Sequence, residues 1–364
     1  MKQKVLFVAQ KMAVGGIASA LVNLLELMCR TQGDEYEITL FTFSGGALLE
    51  RIPSAVKVEV GGRGLRVISS SIRDVLKSRN VADIVARLWY MAYAKVFGSD
   101  KVYRRLLKRC KDKTDYDFAI SYFNDVTTAR FSRGGNMYVS DYVNARSKIG
   151  WIHTDPELCR FDGEYCRNIY KNFDKIYCVS KGVKDKFDKL VPEYVDRTEV
   201  FYNVFPEDEI VSRAVEFVPF EKCGCDIVTV GRIDNATKRI DGIVRLCKRL
   251  KDEGVSGFKW RIVGDGPDLN GNTALAEELG VLDVLEFVGE AKNPYPYIKN
   301  SDIFGLFSAY EGFPMVIGEA LILGTTIVTT EYAAAKEQIM SQQGKICKDD
   351  EAFYQTLKGM IKGN

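Results

Sequence analysis

Two carboxylates, two cations and a few glycines carry most of the chemistry this sequence offers. Glu311 and Glu319 lie eight residues apart. Glu311 stands in a loop with Gly312, Phe313 and Pro314, and Glu319 is the only charge in the apolar stretch Met315–Leu323. An unpaired buried charge is very costly, so Glu319 needs a partner. Pro314 suits the first position of a helix and Gly324 the stop just past its end. The free N–H groups at the start of that helix, around Phe313–Val316, favour an anion. The unit thus offers carboxylates for hydroxyls and amides for phosphate. Arg232 follows an apolar run and Lys238 comes six residues later, ahead of a helical pattern. Two such cations can neutralise phosphate charge without a metal. Gly15 and Gly16 join a strand pattern to a helix pattern and let backbone approach a phosphate. Their spacing lacks the dinucleotide-binding fingerprint. His153, the only histidine, closes the apolar run Lys148–His153.

The elements that must position these groups alternate. Strands are expected at 5–9, 36–43, 56–60, 117–121, 148–153, 175–180 and 199–203, and helices begin after several of them. The series then restarts at Asp226, with strands at 260–263, 285–289, 302–307 and 327–330, helix-like runs at 333–340 and 351–361, and a stretch at 205–224 that reads as the connection. This alternation predicts two α/β domains with parallel sheets, 1–205 and 206–364. In such folds ligands bind beyond the carboxyl ends of the strands, where Arg232, His153 and Glu311 all fall.

The stretch Glu311-Gly-Phe-Pro-Met-Val-Ile-Gly-Glu319-Ala resembles the signature of the family-4 retaining glycosyltransferases of GT-B fold. Gly231-Arg232 with Lys238, and Ile262-Val-Gly264-Asp-Gly-Pro267, match two further motifs of that family. The resemblance covers 225–347 closely and the first half more loosely. It implies two Rossmann-like domains facing across a cleft, and transfer of a sugar from a nucleotide diphosphate sugar with retention and without a metal or other cofactor. It further implies that Arg232 and Lys238 hold the diphosphate, Glu319 the ribose and Glu311 the sugar ring. Gly15, Gly16, Gly264 and the amides of Gly312, Phe313, Pro314-Met315 and Val316 would border the donor, with His153 near its sugar. The family ordinarily continues into further C-terminal helices beyond the point where this sequence stops. Two other classes stay open: a catalytically silent partner subunit of the same fold, binding a glycan or a protein, and a sugar-nucleotide epimerase.

Composition agrees with a chain of this kind. At 364 residues, 46% hydrophobic and 27% charged, it exceeds the usual size of a single core. The first apolar run is too short for a signal peptide, and no run approaches a membrane span. Nine scattered cysteines and one histidine offer no zinc framework, and reduced cytoplasmic thiols are the expectation. Charge is uneven: residues 1–205 hold 33 Lys/Arg against 24 Asp/Glu, and 206–364 hold 18 against 25. The stretch 87–113 holds nine Lys/Arg against two Asp, interleaved with aromatics. It reads either as a solvated helix or as one that docks the first domain on the anionic inner face of a membrane. There it would receive a saccharide or lipid-linked saccharide, with the loop Tyr122–Asp125 as a further acceptor candidate.

Overall fold

A computed structural model describes residues 1–110, 114–125, 131–339 and 342–363, with the side chain of Arg73 left aside. The chain forms two compact units, Met1–Val204 and Phe205–Asn364. The first runs β1 (Gln3–Lys11), α1 (Gly16–Gln32), β2 (Tyr36–Ser44), β3 (Lys57–Val60), α2 (Arg63–Ser69), α3 (Ile72–Lys77), α4 (Val81–Phe97), α5 (Ser99–Leu107), β4 (Asp115–Ser121), α6 (Gly135–Tyr142), β5 (Asn144–Ile152), α7 (Gly163–Tyr170), β6 (Lys175–Cys178), α8 (Lys181–Leu190) and β7 (Thr198–Val200). Its strands make one sheet in the order β3-β2-β1-β4-β5-β6-β7, and every paired neighbour is parallel. Val5–Ala9 are all buried, as central parallel strands covered on both faces must be.

The second unit runs α9 (Glu207–Arg213), β8 (Cys225–Val230), α10 (Ile240–Asp252), β9 (Phe258–Val263), α11 (Leu269–Glu278), β10 (Leu285–Gly289), α12 (Tyr295–Lys299), β11 (Ile303–Leu306), α13 (Met315–Ile322), β12 (Thr326–Thr330), α14 (Ala335–Gln338), β13 (Gly344–Cys347) and α15 (Asp350–Gly363). The sheet order is β10-β9-β8-β11-β12-β13, again parallel. One face packs Ile243, Cys247 and Phe353 of α10 and α15 on the sheet. The other packs Ile210, Ile298 and Ile317 of α9, α12 and α13. Both units are Rossmann-like.

Three expectations need correction. The stretch 205–224 is more than a connection, because α9 buries Ile210 and Ala214 in the second core and Gly318 lies flat on the Phe205 ring. A Cβ on Gly318 would meet that ring at 2.2 Å. Pro314 is the cap ahead of α13 and not its first residue. Its ring fixes φ at −65° but leaves ψ free, and ψ is extended at 123°. Gly324, with φ +73°, does stand just past the helix, in the left-handed conformation that glycine tolerates. Finally, α4 begins at Val81, six residues before the basic stretch was expected to start. Residues 111–113 of that stretch, and Met340 of the helix-like run 333–340, lie outside the described residues.

Candidate functional site

In each sheet the strand order reverses at one point, and loops leaving the two flanking strands diverge there to make a crevice. In the second unit those strands are β8 and β11. The loop after β8 holds Gly231, Arg232 and Lys238, and the loop after β11 holds Ser308–Pro314. Lys238 and Glu311, 73 residues apart, meet here, with Lys238 Nζ donating to Glu311 Oε1 at 2.5 Å. Ser308 Oγ donates to the same oxygen at 2.8 Å. Both charged side chains are mostly withdrawn from solvent, at 15% and 13% exposure. The Lys238 chain lies over Gly231, its Cε 3.4 Å from where a Cβ would stand.

The neighbouring loops are tied tightly. Ala309 N–H donates to the Thr237 carbonyl at 2.8 Å, and Thr330 Oγ1 donates to the Ser308 carbonyl at 2.7 Å. Gly264, at the end of β9, has φ +151°, and a Cβ there would stand 1.9 Å from the Gly231 carbonyl oxygen. Only glycine fits, so the two strand exits are pressed together at backbone distance. Asn235 closes the group: its N–H donates to Asp268 and its side-chain oxygen accepts from Asn272 and the Asp241 amide.

The cations divide by what they touch. Arg239 turns away, over the Phe307 ring at 4.2 Å and paired with Asp350. Arg232 is exposed and makes no ion pair among the described residues. Helix α13 begins without a side-chain cap. Ile317 N–H reaches the Pro314 carbonyl at 3.2 Å, which leaves the Met315 and Val316 N–H groups with no helical acceptor. The Pro314 carbonyl is also held by Gln338 Nε2 at 3.0 Å, and Gln338 in turn accepts from Tyr332. Glu319 follows one turn later, half-buried on α13. The loop and helix therefore present an exposed cation with no ion pair among the described residues, a cation held by a carboxylate, and uncapped amides, all at one strand-exit region. That set suits an anion bearing hydroxyls.

In the first unit the reversal lies between β1 and β4. Gly15 and Gly16 leave the first of these, with open space around Gly15 and no side-chain cap on α1. Asn124 and Asp125 leave the second. His153, just past β5, is buried between Tyr122 at 4.6 Å and the parallel ring of Trp151 at 5.9 Å. Its backbone N–H donates to Asn124 Oδ1 at 3.0 Å. Nε2 is buried with no partner among the described residues, so the ring bond to the Tyr122 backbone falls to Nδ1. With Nδ1 as donor, Nε2 is a lone-pair acceptor. Burial holds the imidazole pKa down to about 3, against an ordinary 6.5.

One residue here went unsingled in the sequence, and another was named only as part of a loop. Asp155 anchors the loop after His153: one oxygen accepts the Glu157 and Leu158 amides at 3.0 Å, the other Lys186 Nζ at 2.5 Å. Asp125 is fully buried and accepts from Tyr165 Oη at 2.8 Å and Gln10 Nε2 at 3.2 Å. Burial raises its carboxyl to about 7. The sequence placed Asp125 in a candidate loop, but its burial comes from elements far away in the chain.

The state of His153 has a measurable consequence. The folded ring stays neutral down to about pH 3, whereas the unfolded ring takes up a proton near 6.5. Its contribution to stability is full above about pH 6.5 and falls on acidification, by about 1.4 kcal/mol per pH unit. Between pH 7 and pH 5 the wild type should lose about 2 kcal/mol more than His153→Gln. Denaturant titrations at the two pH values measure this, and Asp125 cancels in the difference. Equal losses would mean that the folded ring takes up the proton.

Among the described residues no group of three or more His, Cys, Asp or Glu gathers to hold a metal ion, and no helix is long and apolar enough to cross a membrane.

Comparison with known proteins adds family and fold. Residues 220–363 match the family described as Glycosyl transferases group 1. A 4-alpha-N-acetylgalactosaminyltransferase of Campylobacter jejuni, named for N-acetylgalactosamine-N,N'-diacetylbacillosaminyl-diphospho-undecaprenol, is 26% identical over 198 residues, 53% of this chain and 52% of that protein. An uncharacterised glycosyltransferase of Methanocaldococcus jannaschii is 25% identical over 57% of this chain and 53% of its own length. The chain thus spans about half the length of these curated relatives. Among solved structures, HepE of Anabaena in complex with UDP and glucose superposes with a TM-score of 0.66 over 99% of this chain and 90% of that one, at 15% identity. The chain thus has the GT-B fold, and its residues 220–363 are similar to the group 1 glycosyl transferases.

Proposed function

We propose that the chain is a retaining, metal-independent glycosyltransferase. It moves a sugar from a nucleotide diphosphate sugar to a saccharide or lipid-linked saccharide acceptor, in polysaccharide or glycoconjugate assembly. The observation that carries the reading is the Lys238–Glu311 pair beside Arg232 and the uncapped start of α13. Bond cleavage in such a donor leaves negative charge on the departing diphosphate. Arg232 and Lys238 stabilise that charge where it develops, with the Met315 and Val316 amides adding fixed dipoles. Glu311, released by Lys238 as phosphate arrives, accepts from a sugar hydroxyl, and Glu319 accepts from the ribose. Gly264, Gly312 and Phe313 border the donor, and Gly15 and Gly16 offer a second open glycine turn. His153 Nε2 is an acceptor for a substrate hydroxyl. Support from relatives is of the same kind: HepE was solved with UDP-glucose, and the Campylobacter relative is named for a diphospho-undecaprenol substrate.

The test is transfer across a panel of nucleotide sugars with EDTA present, followed by NMR of the anomeric linkage in the product. The reading expects turnover on at least one donor, undiminished by EDTA, with the donor's anomeric configuration kept. Activity lost to EDTA overturns metal independence, and an inverted linkage overturns retention. Conversion of the sugar while it stays on the nucleotide would instead identify an epimerase.

A further inference from the structure

Helix α4 is fastened on one side and bare on the other. On its inner side Ala94 is buried, and the Arg87 guanidinium donates to the carbonyls of Val67 and Ile68 at 3.3 and 2.5 Å. Arg87 is therefore a tether and not part of a basic surface. On the outer side Val81, Val85, Leu88, Trp89, Ala92 and Val96 recur at helical spacing and all face solvent. Val85, Leu88 and Val96 are 59%, 60% and 72% exposed. Adjacent α3 extends the stripe with Ile72 and Leu76, also exposed. An apolar stripe of this length has no place on a fully solvated helix. The apolar side of α5, by contrast, is buried through Val102, Leu106 and Leu107, so the surface is not the one its sequence suggested.

The rim says what covers the stripe. Lys101 Nζ lies 5.5 Å from the Phe97 ring and Arg105 Cζ 5.8 Å from the Trp89 ring, which sets cations beside the apolar row. Lys77, Arg79 and Lys95 are exposed on the same elements. Residues 63–110 hold 12 Lys/Arg against three Asp. A second copy of the chain would bring like charges together across a two-fold contact. An anionic bilayer complements the rim and takes up the stripe, and Trp and Tyr suit its interface.

We infer that the α3–α4 face of the first unit is a peripheral docking surface for an anionic membrane, with its apolar stripe laid into the interface and its cations at the headgroups. Such a surface would bring the chain to acceptors carried on a lipid. The inference needs no transfer chemistry. Trp89 supplies its own probe, since Trp151 and Trp260 are buried at 3% and 0% exposure.

The experiment is co-sedimentation of the full chain with phosphatidylcholine vesicles, with and without phosphatidylglycerol, at low and high salt. Trp emission and its quenching by brominated lipids are followed alongside. Binding should require phosphatidylglycerol and weaken with salt, and emission should shift to the blue, a shift lost in Trp89→Phe. The triple variant Val85→Ser/Leu88→Ser/Val96→Ser should lose roughly tenfold or more in binding. Lys101→Glu/Arg105→Glu should lose roughly tenfold or more. All these side chains are exposed, and circular dichroism checks that the variants stay folded. Absent binding, equal binding to neutral vesicles, or binding indifferent to both variants would overturn the inference. So would a dimer broken by the serine variant in a chain that ignores vesicles. Since no nucleotide sugar is present, failure here leaves the transferase reading standing.

Discussion

Replacing Lys238 by Ala should lower the rate of sugar transfer by about 100-fold or more, and Arg232→Ala should lower it by a similar order. In the proposed reaction both cations would act on charge that appears only as the donor bond breaks, so kcat should fall and KM for the donor change less. Lys238 has the larger expected effect for a structural reason. It stands over Gly231 with its ammonium fixed on Glu311 at 2.5 Å, so it is already placed before any ligand arrives. Arg232 is exposed and must be drawn in. Steady-state kinetics over a range of donor concentrations decide the matter. Retention of kcat within a few-fold in both variants would remove these residues from the chemical step.

The second large effect concerns binding. A hydrogen bond to a charged group contributes about 1.5–3 kcal/mol. Glu319→Ala should therefore weaken nucleotide binding roughly 10- to 100-fold. The loss should be the same for the bare nucleoside diphosphate and the intact sugar nucleotide. Glu311→Ala should cost affinity chiefly for the sugar nucleotide, and it also frees Lys238 from its carboxylate partner. Binding of the bare diphosphate to this variant should be kept or improved. Calorimetry with both ligands separates the two roles, and equal losses for both ligands in both variants would contradict them.

The sequence was legible where burial is simple. Central strands such as Val5–Ala9 are continuous apolar runs because parallel sheets are covered on both faces, and their positions follow from that pattern alone. β13 was not foreseen: Gly344-Lys-Ile-Cys347 is four residues with an exposed lysine and takes its conformation from pairing with β12. α9 was hidden by the prolines and acids around it, although its acidic first turn suits a helix start. At α4 the composition misled. Counting cations from Arg87 suggested a basic face, but Arg87 points at carbonyls and the solvent side is apolar. A helical wheel begun at Val81 would have shown the stripe.

In the candidate site, residue types were legible and states were not. The Glu311 and Glu319 motif and the Arg232 and Lys238 spacing stand in the sequence, but the contact between Lys238 and Glu311 depends on the order β8-β11 in the sheet. His153 was named from its strand-end place. Its low pKa comes from burial between the rings of Tyr122, just past β4, and Trp151 on β5. Asp125 titrates near neutrality for the same kind of reason. Such shifts arise from packing between segments distant in sequence, which no local pattern carries.

The most direct test of the donor site is hydrogen–deuterium exchange of the full chain with and without a nucleoside diphosphate, in the absence of metal. Amides of 231–238 and 312–317 should exchange more slowly with ligand, and Lys238→Ala should reduce that protection. Protection confined to other segments, with 231–238 and 312–317 unchanged, would contradict the account.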